Sequence, residues 1–561
     1  YSPLYYIMAQ QAAGVITPYQ AEKSFRELEN YDNTSDYSKL FLRSSQTQTY
    51  SLDISGGTPG ALYYITANYT GNRDNIINNN NNRMSLSGRS TLKLTQKLSL
   101  ELTTDYQEQR FKSAPVPDIY SVYPFEHFKD ANGNPTAIAS GSGGNPYYNA
   151  ELLSWGLQDN LSYPLIDVNE INDKTNIINN RITAKFNYAI GWGFDLSFGG
   201  IYETSRTDKR HYASEKSSEA KQYVNSYITL NTDGTLKYNI PNGGFLKQET
   251  YNTSSYTARV QLNYNKKLGE QHTFNGILGT EIRSVLDKSN WASYFGYNDE
   301  TLLQQPVNLA DMVNGTITGA YINTRSIRNN YAYLYGQGYT ENRYLSGYAN
   351  LVYAYKNTYS LTGSIRIDQS NLFGTNPKYK YKPLWSLGAA WNIHNEKFMQ
   401  EISWIKQLKL RVADGFNGNV AKMSLPQAIA VTVLNNYTSP SSEALTKLSY
   451  ANSSLRWEQT HNLNLGLDYT LIKNISGSID YYRKTSTDLL GNAQIDPTIG
   501  ESPTLINTAS IRNKGIELSL HADWIATKKV NWNTGLVISR NTSEVTDVYQ
   551  TGEYYPQRAI R

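Results

Sequence analysis

The sequence predicts an all-β fold: a transmembrane antiparallel β-barrel with long extracellular loops and short periplasmic turns. Three observations predict it. Apolar and polar residues alternate with a period of two along segment after segment, which marks strands whose two faces meet different solvents. Short and long connections alternate between those segments. Tryptophan and tyrosine recur beside the short connections.

The strands can be read in order. Tyr50, Leu52 and Ile54 share one face, with Ser51, Asp53 and Ser55 on the other. Tyr63, Ile65, Ala67 and Tyr69 then oppose Tyr64, Thr66 and Asn68. The pattern recurs with Ile182, Ala184, Phe186 and Tyr188, and again with Ala258, Val260, Leu262 and Tyr264. Later come Leu463, Leu465, Leu467 and Tyr469, then Ile516, Leu518, Leu520, Ala522 and Trp524. None of these apolar faces carries a charge, and a Lys or Arg at the midplane of a membrane barrel costs about 2–4 kcal/mol. The opposite faces hold Asp, Lys, Arg and Glu, as a wet lumen permits. Counting hairpins predicts roughly sixteen strands of about ten residues, the length a tilted membrane strand needs.

The connections sort by length. Short turns fall at Gly57–Gly60, Gly191–Gly193, Lys266–Gln271, Tyr355–Asn357, Ile472–Lys473 and Ile525–Lys529. Long polar loops lie near 111–180, 205–253, 284–342, 417–460 and 486–509. Outer-membrane barrels place short turns in the periplasm and long loops outside, whereas a soluble sandwich has no reason to sort them. Trp192, Trp391, Trp404, Trp524 and Trp532, with Tyr188, Tyr264, Tyr353 and Tyr469, stand at or near the short turns. They read as the aromatic girdle at one lipid boundary.

Composition fits this fold and excludes others. The 561 residues include 47 tyrosines and no cysteine, which removes disulfide scaffolds and thiolate chemistry. Net charge is +4 from 52 basic and 48 acidic residues, too balanced for a nucleic-acid partner. Mean hydropathy is −0.56, and no apolar run approaches the ~20 residues of a membrane helix. That average does not argue against a barrel, because alternate residues face water.

Chemistry-bearing patterns are sparse. The six histidines (127, 211, 272, 394, 461 and 521) show no metal-ligand spacing, and no nucleophile elbow or phosphate loop occurs. No enzymatic activity, cofactor or metal is therefore expected, and no catalytic residue is assigned. His521 falls on the predicted lumen face as a solvated polar group. Asp130–Asn134 has the look of a calcium loop but lacks the downstream bidentate Glu, so turn chemistry is preferred. Asn78–Asn82 reads as a solvated loop. Thr17-Pro18-Tyr19-Gln20 reads as a capping box opening a helix through about Leu28. Tyr- and Asn-rich stretches at 145–149, 329–339 and 434–439 suit stacking on sugars or holding peptide backbone, and equally suit loop packing. Substrate-binding residues stay unassigned.

Several ordered phrases resemble the SusC/RagA family of TonB-dependent outer-membrane transporters of Bacteroidetes. Tyr359–Met399 carries the family's pattern at Arg366, Asp368, Ser370, Phe373, Gly374, Pro383, Ser386, Gly388, Trp391 and Phe398. LKLRVADGFNGN (408–419), LRWEQTHNLNLGLDY (455–469), ISGSIDYYRKTSTDLL (475–490) and IRNKGIELSL (511–520) follow in the family's order. Tyr37–Gly57 and the helical segment before it resemble the start of the family's barrel after its plug. The resemblance spans nearly the whole chain. It implies a barrel of the 22-strand class, of which residues 1–561 would be a large middle portion. Nothing in the sequence looks like that family's periplasmic domain, plug, TonB box or last strands.

The resemblance further implies import of oligosaccharides or peptides across the outer membrane. A SusD-like surface lipoprotein would capture substrate, and the TonB-ExbB-ExbD complex would act through regions outside this chain. Outer-membrane lipid would surround the wall. A siderophore receptor, a passive porin and a secreted β-rich adhesin are the alternatives.

Overall fold

The computed structural model describes residues 3–139, 145–308, 334–372, 382–419, 429–435, 442–449, 455–456, 458–472, 474–493 and 504–548. Three helices open the chain: α1 (Pro3–Ala12), α2 (Pro18–Glu29) and α3 (Thr34–Phe41). The first wall strands are β1 (Gln46–Thr58), β2 (Ala61–Arg73), β3 (Asn80–Lys93) and β4 (Leu98–Ser113). Helices α4 (Pro146–Ser154) and α5 (Pro164–Glu170) precede β5 (Ile171–Gly191) and β6 (Phe194–Ala213). Helix α6 (Ser218–Ser226) and the small hairpin β7 (Ile228–Leu230) and β8 (Leu236–Tyr238) lead to β9 (Gly244–Leu268) and β10 (His272–Tyr297). Next come β11 (Tyr335–Tyr355), β12 (Tyr359–Ser370), β13 (Leu384–Asn392) and β14 (Ile405–Asn419). A second hairpin, β15 (Ile429–Asn435) and β16 (Ser442–Ser449), precedes β17 (Glu458–Leu471), β18 (Ile475–Ala493), β19 (Thr504–Ala526) and β20 (Asn531–Val548).

All strands except the two small hairpins form one sixteen-stranded antiparallel sheet in chain order, with β1 and β20 at its edges among the described residues. The predicted faces survive pairing. Ile182 sits opposite Tyr202, Tyr202 opposite Tyr256, and Leu102 opposite Ala184, so apolar rows continue laterally across strands. Residues on the same strands but one position away form polar rows: Thr183 meets Thr103, and Arg259 meets Glu281. Register is strongly specified here, because a slip of one residue would turn charges onto the lipid face.

Sixteen strands agree with the count read from the sequence, but their lengths do not. They run from 9 residues in β13 to 26 in β10, against about ten expected. The excess lies at the long-loop end, where ladders continue into regions assigned above to loops. The actual long connections are narrower, at 114–170, 214–243, 298–334, 420–457 and 494–503. Above the lipid both faces meet water, so the period-two contrast fades while the hydrogen-bonded ladder goes on. Lys473 of one predicted turn, residues 329–333 and 436–439 of the Tyr/Asn-rich stretches, and Phe373 and Gly374 lie outside the described residues.

The short turns are tight. Trp192 and Gly193 have φ of +61° and +92°, and Lys356 and Asn357 have +52° and +53°. Paired positive φ values belong to the turns whose twist matches that of antiparallel strands. A side chain at Gly193 would place its Cβ 2.6 Å from the Asn265 carbonyl oxygen, so only glycine fits there. The girdle forms around this rim. Trp192 is 86% exposed with the Lys266 ammonium 5.5 Å over its ring, and Trp524 and Trp532 face each other at 6.4 Å. Phe194 packs on Tyr264, and Phe274 on Tyr353.

The Thr17 capping box is present, with Thr17 and Gln20 bonding each other's backbone N–H groups as α2 begins. Its location is informative. Because β1 runs down to the short turn at 59–60, the three leading helices stand at the long-loop end. Phe41 and Phe128 pack edge to face at 5.0 Å, and buried Asn33 donates to the Tyr123 and Glu126 carbonyls. The helical segment is thus part of the extracellular layer. Asn78–Asn82 is not a free loop either. Asn78 donates to the Val168 carbonyl at 3.0 Å, Asn79 accepts from the Ala114 amide at 2.8 Å, and Asn80 begins β3.

Candidate functional site

The inner face of the sheet is the candidate site. Strand alternation aims one residue in two inward, and those residues form a lattice of ion pairs and amide bonds. Asn187 donates to Glu101 at 2.8 Å and accepts from Ser197 at 2.9 Å, while Lys185 lies 3.7 Å from Glu101. Arg181 pairs with Glu203 at 3.2 Å. Arg259 donates to Glu281 through Nε at 2.8 Å, and Tyr348 donates to Gln261 at 2.8 Å. Arg366 bonds Asp368 and Ser346, each at 2.8 Å.

One group of this lattice spans three strands. Arg411 on β14 donates to both carboxylate oxygens of Asp468 on β17, at 2.7 and 2.8 Å, and reaches Asp480 on β18 at 3.1 Å. It does so across Gly466, where a Cβ would lie 2.7 Å from the guanidinium. A glycine is needed there because a side chain from elsewhere occupies its space. Three of the phrases quoted above, LKLRVADGFNGN, LRWEQTHNLNLGLDY and ISGSIDYYRKTSTDLL, meet at this point.

The extracellular end is an ordered cap. Leu152 and Leu157 from one long connection pack with Tyr223, Val224, Tyr227, Ile228 and Ile240 from the next, and with Phe245 and Phe295 at the tops of β9 and β10. Asn225 laces the two connections, donating to the Gln158 carbonyl and accepting its amide. Asn149 of the 145–149 stretch is buried and donates to Asp159 at 3.1 Å, which makes it packing rather than a free ligand contact. Asp167 accepts the Ser218 amide at 2.8 Å, and burial raises its pKa.

His211 is the group that sequence reading missed. It lies roughly 45 Å above the Gly193 turn along the membrane normal, well above a lipid belt of about 25 Å. Its Nδ1 is 2.6 Å from Asp173 on β5, and its Nε2 is 3.2 Å from Glu219 on α6. Burial pulls its pKa down, but the two carboxylates outweigh that and raise it to about 10. The imidazolium therefore pins α6 to the wall. The three residues come from β5, β6 and α6, so no short sequence window contains them.

The remaining histidines have separate local partners. His127 stacks on Tyr31 at 3.6 Å, His272 bonds Tyr353, His394 bonds the Leu408 carbonyl, His461 bonds Asp414, and His521 lies 3.3 Å from Asp523 on the inner face. Among the described residues no group of acids and histidines gathers at metal-binding geometry. The Asp130 carboxylate is occupied by its own turn, accepting from the Asn132 and Asn134 amides and the Asn134 side chain, which together lower its pKa.

Comparison with known proteins fits this wall. The family model for TonB dependent receptor-like β-barrels matches residues 123–559. TonB-dependent receptor P3 of Formosa agariphila is 24% identical over 532 residues, covering 91% of this chain and 47% of the relative. TonB-dependent receptor SusC of Bacteroides thetaiotaomicron is 29% identical over 214 residues, 37% of this chain and 21% of SusC. Among solved structures, the RagAB peptide transporter superposes with a TM-score of 0.71 at 19% identity, over 93% of this chain and 53% of that one. The chain spans about half or less of the length of the curated relatives it matches. The family is one of receptors and transporters rather than enzymes. With its apolar exterior, girdle and polar inner face, the chain belongs to the TonB-dependent receptor β-barrel family of the outer membrane.

Proposed function

We propose that this chain forms the conduit wall of a TonB-dependent importer that takes up oligosaccharides or peptides with a SusD-like lipoprotein. The observation that carries the reading is the inner face: charged and amide side chains, paired among themselves, line a wall whose exterior is apolar. Such a surface suits a hydrated polar solute too large for passive diffusion, which can exchange hydrogen bonds along it. The fold shared with the RagAB peptide transporter supports the peptide alternative.

In this reading the lipoprotein captures substrate over the extracellular cap, and energy arrives through the TonB-ExbB-ExbD complex. Parts of the protein outside this chain would supply the plug, the TonB box and the strands joining β20 to β1. The whole receptor is the object to test. Deleting the partner lipoprotein should abolish or severely weaken uptake by cells of labelled oligosaccharides or peptides. Undiminished high-affinity uptake would overturn the proposal.

A further inference from the structure

Above the lipid belt, three arginines on the outer face are neutralised on their own strand. Arg110 pairs with Glu108, Arg206 with Asp208, and Arg343 with Glu341, at 2.7–2.8 Å, each two positions apart on one face. On the outer face of β18–β20 no such same-strand pairing is present among the described residues. Arg483 stands directly opposite Lys514 in the register, a like-charge pair that is unfavourable by itself. Arg540 lies one diagonal step away, beside Ile516, and Arg512 is on the same face two residues from Lys514.

Among the described residues, Arg483, Lys514 and Arg540 make no ion pair or hydrogen bond through their side chains. The Arg512 Nε is buried with no partner, although Glu544 stands opposite it in the register. Asp414, across β17 from Arg483, is engaged by His461 at 2.7 Å.

Height identifies what could neutralise the patch. Lys514 is ten residues above the girdle residue Trp524, roughly 26 Å along the membrane normal, so it lies at the top of the apolar belt. Just below it, Leu465 and Ile516 are exposed on the same outer face. Cations that crown an apolar surface at headgroup depth match a lipid with anionic groups above its acyl chains. Guanidinium and ammonium groups side by side suit phosphate oxygens, which accept from several donors at once.

We infer that Arg483, Lys514 and Arg540, with Arg512, bind the phosphate groups of an outer-leaflet glycolipid whose acyl chains lie on the wall below. This rests on the outer-membrane placement and not on the substrate. The test reconstitutes the full-length receptor in nanodiscs and quantifies bound lipid A by mass spectrometry. Retention by an Arg483→Gln/Lys514→Gln/Arg540→Gln variant should fall about tenfold or more. The Arg343→Gln variant, altered in a neutralised pair, should retain lipid A like the wild type. Dephosphorylated lipid A should be retained as poorly by the wild type as phosphorylated lipid A is by the triple variant. Equal retention by wild type and triple variant, or of both lipid forms, would overturn the inference; an acidic partner protein on the patch would give that result. Should the triple variant fail to assemble, a salt series on the wild type decides. Retention that drops steeply with ionic strength supports phosphate binding, and level retention contradicts it.

Discussion

Ile277 and Leu278 are neighbours on β10 at nearly the same depth, both apolar, and the sheet turns them to opposite sides. Leu278 lies on the outer face, opposite Leu262 and Ala349, and is 61% exposed toward lipid. It sits four residues above girdle residue Phe274, about 10 Å higher, near the middle of a belt of about 25 Å. Ile277 faces the lumen between Asn263 and Asn350. Leu278→Arg should therefore cost about 2–4 kcal/mol, or roughly 30- to 700-fold in the ratio of folded to unfolded receptor. Ile277→Arg places the same side chain among amides in water and should cost no more than about 1 kcal/mol. Folding of the full-length receptor into vesicles, followed by heat-modifiable gel mobility across a urea series, reads the difference. Equal costs, or a larger cost at Ile277, would refute the assignment of faces.

Two further outcomes follow from the polar groups. Because the His211 pKa is raised to about 10 from an ordinary value near 6.5, its contribution to cap stability is full below about 6.5. It is lost as pH rises through about 10, so hydrogen exchange of α6 amides, corrected for intrinsic rate, should accelerate over that window. The His211→Gln variant should show no such window; an unchanged pH profile would contradict the pin. Arg411→Leu leaves Asp468 and Asp480 without their shared cation and should destabilise β14, β17 and β18 locally by about 1–3 kcal/mol. Adding Asp480→Asn should recover part of that loss in the same exchange measurement, and purely additive effects would deny the coupling.

The parts of this architecture legible in the sequence are those where two solvents meet the chain. Tyr50 through Ile54, or Ile182 through Tyr188, separate lipid from lumen residue by residue, so strand identity and face could both be read. Where both faces are wet the signal vanishes, and 171–180 and 244–253 are strand despite reading as loop. The side on which the leading helices stand was not legible, for a topological reason. Only the direction of β1 places them outside, and direction follows from pairing across the whole sheet. The cap was hidden because its core draws single residues from separate places, Leu152 and Tyr223 from two connections and Phe245 and Phe295 from the tops of β9 and β10. The lattice at Arg411 was half legible. The phrases carrying it could be recognised, but the use of Gly466 as a passage for a guanidinium appears only when three strands are laid side by side.

The chain has no cysteine, so single cysteines placed in it meet no background from the chain itself. A scan through positions 276–282 of β10 in whole cells, probed with a water-soluble thiol reagent and a lipid-phase quencher, examines the wall most directly. Odd positions should label from water and even positions should report lipid, with a period of two throughout. Uniform labelling, or the reverse assignment, would contradict a membrane wall with a polar interior.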